Sequence, residues 1–199
     1  MIATTGLWIA VGVLAALLIL GMAGGFLLLA MGRLNLDLGW GRGLHELGPI
    51  EFRIAAPRDL VFEILAEPYL GHTPRDSGIE VLAKGEDIAV ATHHTKVHFY
   101  YSRTVEVIAF EPPSRVGFRH LAGPVPHAVE QFALEDVDGD TALRYSGEVG
   151  IDFFFLGRIA GRYWVRPQWE QTVRGHLDDV KQRAELLASR RRSREAEQR

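Results

Sequence analysis

Between Val97 and Phe110 apolar and polar residues alternate, and this alternation gathers most of the chain's chemically capable side chains. With Val97, Phe99, Tyr101, Val105 and Val107 on one face of a strand, Arg103 lies on that face too. Neighbouring strand candidates add Thr92 and His94, Phe118 and His120, Glu130 and Phe132, and Leu143 and Tyr145 to the same inward set. An apolar concavity with a few converging polar groups suits a small-molecule site, because area supplies affinity and hydrogen bonds supply orientation. Arg103 and Glu130 are expected to pair there, since an unpaired charge facing an apolar cavity is costly. His94 or His120 could serve as a general base beside Tyr101 as an acid. The competing reading places these residues near strand ends, in water.

Other chemistries find less support. His93, His94 and His98 cluster and His120 and His127 follow, but His93 and His94 point to opposite faces of a strand, so no metal site is expected. Ser77, Ser102, Ser114 and Ser146 lack a Gly-x-Ser-x-Gly context. There is no phosphate-cradling loop or dinucleotide fingerprint, and no cofactor is expected. The absence of cysteine excludes disulfides and thiolate catalysis. The tail 190–199 carries five Arg and two Glu, a net +3, which leaves the rest of the −3 chain at −6. A mildly acidic body is not that of a nucleic-acid binder. The tail either touches anionic headgroups or is a solvated helix end.

The elements that position these residues begin with an anchor. Leu7 to Met31 is an uninterrupted uncharged run of 25 residues, a helix of ~37 Å against a hydrocarbon core of about 30 Å. No basic n-region precedes it and the run is too long for a signal peptide, so a retained single-pass membrane helix is expected over 1–31. Arg33 and Arg42 follow it closely, which by the positive-inside rule places the remaining chain in the cytoplasm. Trp8 and Trp40 stand where interfacial anchors would. Gly21 with Gly25, and Gly12 with Ala16, have the small-x-x-x-small spacing that permits self-association, although glycine is common in membrane helices anyway.

Residues 32–49 hold five glycines and no sustained period, which reads as a juxtamembrane linker. The domain is then expected over 50–189. A strand at Glu51–Ala55 leads through Ala56-Pro57 into a helix from Arg58 to Ala66. Strands follow at Ile79–Ala83, Ile88–Lys96, Val97–Phe110, Val116–His120, Val129–Leu134 and Thr141–Val149, joined by turns, which argues for one antiparallel sheet. Ile159, Tyr163, Trp169, Val173, Leu177, Val180, Ala184 and Leu187 then form a helical apolar stripe, with Pro167 marking a kink or the true start. Phe153, Phe154 and Phe155 fit neither period: they would lid the cavity, dip into the bilayer, or pack where sheet meets helix.

Residues 50–189 resemble the SRPBCC or START-like superfamily, in its polyketide cyclase/dehydrase and lipid-transport-like branch. The matching landmarks are Ala56-Pro57 before Val61-Phe62, the Glu111-Pro112-Pro113 turn, Gly139-Asp140-Thr141 with Leu143 and Tyr145, and the long terminal helix. The resemblance implies an α+β helix-grip fold: a curved antiparallel sheet wrapped around the C-terminal helix, with an apolar cavity between them. It also implies binding of a hydrophobic small molecule such as a lipid, quinone or polyketide, with His94, Tyr101, Arg103, His120, Glu130, Phe132, Tyr145 and Phe154 as the candidate ligand-binding residues. Catalysis of the cyclase or dehydratase type is the alternative, and no catalytic residue is assigned. A third possibility is an interaction module whose cavity has filled with side chains. The membrane helix lies outside the family pattern.

Overall fold

The computed structural model describes residues 2–71, 73, 77–97 and 100–198. His98 and Phe99, used above in the histidine cluster and the strand alternation, lie outside the described residues, as does Pro74. Twelve elements follow one another: α1 (Ile2–Ala30), β1 (Gly43–Ile54), α2 (Arg58–Leu70), β2 (Ile79–Lys84), β3 (Ile88–Val97), β4 (Tyr100–Glu111), β5 (Arg115–Ala122), β6 (His127–Val137), β7 (Asp140–Ile151), α3 (Phe154–Ala160), a π-helical turn (Gly161–Val165) and α4 (Arg166–Glu197). The seven strands form one antiparallel sheet in the order β1-β7-β6-β5-β4-β3-β2. This is the helix-grip fold: the sheet curls around α4, and α2 packs beside it.

The core is the union of two patterns of different period. From α4 come Val173, Leu177, Val180, Ala184 and Ala188, all buried at three- and four-residue steps. From the sheet come Ile54, Ile108, Phe110, Val116, Phe132, Leu134, Leu143 and Tyr145, each on the face turned to α4. Pro167 sits in the first turn of α4, so it marks the start of the helix instead of kinking it. Ile159 and Tyr163, read as the top of the stripe, are instead 44% and 70% exposed, because the π-turn rotates the helix before α4 reaches the sheet.

β1 starts at Gly43, inside the glycine-rich stretch read as linker, and pairs with β7 across Gly43↔Ile151 to Ile54↔Thr141. A register shift between Leu47 and Ile50 interrupts the pairing. Gly48 occupies it with φ +80, and a Cβ there would lie 2.8 Å from the Tyr145 carbonyl oxygen, so only glycine fits. The freed Gly48 N–H donates to Glu170 Oε1 of α4 at 3.0 Å, tying the bulge to the gripped helix.

One helix near the N-terminus, Gly6–Ala30, is long and apolar enough to cross a membrane, and almost none of it is buried against the rest of the chain. Its end is nevertheless attached. The Arg103 N–H donates to the Met31 carbonyl at 3.1 Å, and Phe26 stacks on Trp164 with ring centroids 5.3 Å apart. The following segment is clamped by Asp152, whose carboxylate accepts from the Leu38 and Gly39 backbone N–H groups (both 2.9 Å) and from Arg42 Nε (2.7 Å). The Arg42 hydrogen bond, with support from the two backbone donors, holds the Asp152 carboxyl below its ordinary range despite burial. Asp152→Ala strips a buried acceptor from three donors. We expect it to cost about 2–3 kcal/mol and to speed proteolysis of 33–42, read by limited digestion of the full chain.

Candidate functional site

The sheet's inner face carries a polar cluster at its centre. Register places Glu106 of β4 beside Ala91 of β3 and His120 of β5, and His93 beside Thr104. Glu106 is 5% exposed. Its Oε2 lies 3.0 Å from His93 Nδ1, and its Oε1 lies 2.9 Å from His120 Nε2 and accepts from Thr104 Oγ1 at 2.8 Å. Burial alone would raise the Glu106 carboxyl, but the hydrogen bonds from His120 and His93 outweigh it and hold the group well below the carboxylate range. Glu106 is therefore an anion, and an anion only accepts hydrogen bonds.

That sets which nitrogen carries the proton in the neutral form of each histidine. His93 donates through Nδ1, leaving Nε2 to accept from the Tyr69 hydroxyl at 3.1 Å. Burial pushes the Tyr69 phenol up, so it remains a donor. His120 donates through Nε2, which leaves Nδ1 as an acceptor in the neutral ring. That Nδ1 is buried and has no hydrogen-bond partner. Three of the four imidazole nitrogens are satisfied and the fourth is open.

A second carboxylate lies beside the first. Glu130 of β6 accepts from the Tyr145 hydroxyl at 2.5 Å and from Trp169 Nε1 at 2.7 Å. Here burial wins over those two hydrogen bonds, and the nearby Glu106 charge adds to it, so the Glu130 carboxyl is raised. Two neighbouring carboxyls pushed in opposite directions are a pattern of acid–base sites, although structural networks also produce it. Trp169 of α4 closes the cluster, its ring 5.4 Å from that of His120. Beyond it, rings run continuously from Phe118 to Phe132 (5.6 Å), and from Phe132 to Tyr145 (5.5 Å) and to His176 (6.4 Å). Side chains thus occupy the space between sheet and α4. A depression of about 750 Å³ lies on the opposite, outer face, bordered by Val107, Arg119, Val129, Gln131 and Ser146.

The residues expected from sequence divide by strand. His120, Glu130, Phe132 and Tyr145 face inward together. Tyr101, Arg103 and His94 do not: Tyr101 is 61% exposed and both others are exposed on the outer face. Arg103 does not meet Glu130, and its guanidinium reaches Thr92 Oγ1 at 3.5 Å. Phe154 lies on the surface against Trp40, ring centroids 5.7 Å apart. Register is the cause. On β3 and β4 the inner set is Ala89, Ala91 and His93 with Thr104, Glu106, Ile108 and Phe110, one residue out of step with the alternation read from Val105 and Val107. His93, Thr104 and Glu106 were therefore missed, and Tyr69, Trp169 and His176 were missed on the helices α2 and α4, where register plays no part. The available signal was Ile108 and Phe110, whose even-numbered face leads back to Glu106. No group of His, Asp or Glu with metal-binding geometry occurs among the described residues.

No family model matches the chain, and no curated protein does either. Solved structures do. A protein from Thermus thermophilus superposes with TM-score 0.58 at 16% identity, over 70% of this chain and 97% of its own. The di-domain aromatase/cyclase StfQ of the steffimycin biosynthetic pathway gives 0.61 at 15%, over 74% of this chain and 52% of that one. A START superfamily protein from Mycobacterium smegmatis gives 0.52 at 12%, over 72% and 98%. The chain therefore has an SRPBCC/START-like fold.

Proposed function

We propose that this is a membrane-tethered protein that binds a hydrophobic small molecule with one hydrogen-bonding polar group, taken up from the bilayer into the interior gripped between sheet and α4. The carrying observation is His120 Nδ1, a buried acceptor without a partner at the centre of an otherwise satisfied cluster. A ligand hydroxyl placed there completes the set, and the Trp169 ring against His120, with the Phe118 and Phe132 rings further along the sheet, offers apolar surface to the rest of the molecule. Thr104, a partner of Glu106, adjoins Arg103, whose backbone N–H bonds the end of α1. A molecule arriving along α1 would reach this cluster first. The same fold in a START superfamily protein and in an aromatase/cyclase supports hydrophobic ligand binding or cyclase chemistry.

With α1 read as a membrane span, Arg33 and Arg42 beside it favour a cytoplasmic domain by the positive-inside rule. Native mass spectrometry of the full chain from mild detergent, followed by organic extraction, tests the binding reading. A stoichiometric hydrophobic molecule is expected from the wild type. His120→Leu should reduce its affinity about tenfold, the worth of one hydrogen bond in a dry site. An apo mass that persists after incubation with membrane extract rejects the reading.

The opposed shifts of Glu106 and Glu130 favour one alternative. With Glu106 orienting His120, Nδ1 is a general base, and Glu130 is the acid. Cyclisation of a linear β-polyketone by the wild type and not by His120→Leu would establish it.

A further inference from the structure

Beyond α1, the fold leaves a run of apolar side chains exposed from the end of β7 to the start of α4. Phe153, Phe154, Phe155 and Leu156 are 46%, 54%, 63% and 67% exposed, and Tyr163 and Trp164 are 70% and 45% exposed. Phe153 and Phe154 take φ of +77 and +48, a left-handed conformation that non-glycine residues rarely adopt. Strain of this kind persists where surrounding structure or function holds it, and here it turns aromatic rings away from the core.

We propose that this surface seats in the lipid bilayer beside α1, so that the domain is held against the membrane in one orientation instead of swinging on its tether. The inference rests on the reading of α1 as a membrane span. Its principal support is depth. Phe26 lies five residues before Met31, which puts it about 7.5 Å along the helix from that end of the span. Trp164 stacks on Phe26, so lipid that surrounds one ring surrounds the other. The resulting depth agrees with the ~5–10 Å at which interfacial helices bury their apolar faces.

The surface is also continuous with the segment leaving the membrane. Phe153 N–H donates to the Trp40 carbonyl at 2.8 Å and Phe154 N–H to the Gly41 carbonyl at 3.0 Å. Gly41 permits the contact, since a Cβ there would run into the Phe154 ring. Trp40 is itself 63% exposed. Charge completes the pattern of an interfacial element. Between Phe153 and Trp169 the chain has Arg158, Arg162 and Arg166 and no acidic residue, and the Arg162 guanidinium lies 5.5 Å from the Tyr163 ring centre. Arginines rimming an aromatic surface suit anionic headgroups above and acyl chains below.

The lack of cysteine allows single-site labelling without background. Nitroxide would be attached to Phe155→Cys and Tyr163→Cys in the full chain, reconstituted in vesicles of phosphatidylcholine and phosphatidylglycerol. Leu17→Cys serves as a span control and Glu86→Cys as a solvent control. Collision rates with oxygen, which partitions into lipid, and with a water-soluble nickel chelate are then compared. The expected result is an oxygen-to-nickel ratio at positions 155 and 163 several-fold above that at 86 and below that at 17. A water-like ratio at both positions with a lipid-like ratio at 17 overturns the seating and leaves the span intact. A water-like ratio at 17 removes the span and the seating with it. Shielding of 155 and 163 from both reagents means that protein, a second copy or another chain, covers the surface, and also overturns the proposal.

Discussion

Glu106→Ala is expected to remove about 3–5 kcal/mol of folding stability, since each donor it leaves without an acceptor inside the protein costs about 1–3 kcal/mol. In a chain of this size that lowers Tm by about 6–20 °C, read by circular dichroism of the full chain in detergent. The size of the effect follows from what remains behind. His93 Nδ1, His120 Nε2 and Thr104 Oγ1 all point at Glu106, so its loss orphans three buried donors at once. Glu106→Gln, which retains an acceptor oxygen but presents an N–H group to a donor, should fall between alanine and wild type.

The pH dependence gives a sharper signature, because the two carboxyls act in opposite senses. Glu106 is depressed below its ordinary 4.5. Its contribution is present above that value and is lost as pH falls through the depressed native pKa. Glu130 is raised above 4.5. Its contribution is full below that value and is lost as pH rises through the native pKa. Subtracting variant from wild-type stability removes the contributions of titrating groups that do not interact with the substituted carboxyl. The difference curve for Glu106→Gln should slope on the acid side of 4.5, and that for Glu130→Gln on the alkaline side with the opposite sign. An acid limb unchanged in Glu106→Gln would mean that this carboxyl is not held as an anion.

Why the succession of strands and the gripped helix are legible in sequence, while half of the site is not, comes down to how each is encoded. The stripe Val173, Leu177, Val180 and Ala184 has one solution, since its opposite face carries Arg174, Asp178 and Lys181. On β6 and β7 the inner residues Phe132, Leu134, Leu143 and Tyr145 likewise oppose polar neighbours such as Gln131, Glu135 and Arg144, so Glu130 was placed with them. β4 lacks that contrast. Val105 and Val107 face outward while Ile108 and Phe110 face inward, so both faces are apolar and the period alone cannot choose between them. The β4–β5 pairing also shifts register between Val105 and Glu106. Reading from Val105 sent Arg103 and Tyr101 inward and put Glu106, the centre of the cluster, outside. Trp169 was seen only as part of an apolar stripe, because nothing in a helical period reveals an indole N–H aimed at a buried carboxyl. The exposed Phe153–Leu156 segment resisted both periods for the reason the structure gives: two consecutive residues at positive φ, Phe153 and Phe154, break the chain's period where β7 gives way to α3.

Phe132→Ala bears on the central tension in the proposed function, namely that the interior meant for a ligand is filled by the protein's own rings. The Phe132 ring is central to that packing, within 5.6 Å of Phe118 and 5.5 Å of Tyr145. Truncating it is expected to cost about 3–5 kcal/mol through lost burial and the void left beneath α4. In the wild type an entering ligand must displace such rings, and that rearrangement is subtracted from its affinity. The variant has made the room in advance. An apolar probe should therefore raise the Tm of Phe132→Ala more than that of the wild type, since a ligand at 100 times its Kd adds about 2.7 kcal/mol. Naphthalene and 1-naphthol separate volume from recognition. Both fill the void, but only naphthol carries a hydroxyl for His120 Nδ1, which should be worth about 1 kcal/mol in that variant and nothing when His120→Leu is added. Equal shifts from both probes would show a void without polar recognition, and the unpartnered nitrogen would then have no part in binding. No shift from either would show that the packing closes over the gap, and the interior would belong to an interaction module and not to a carrier.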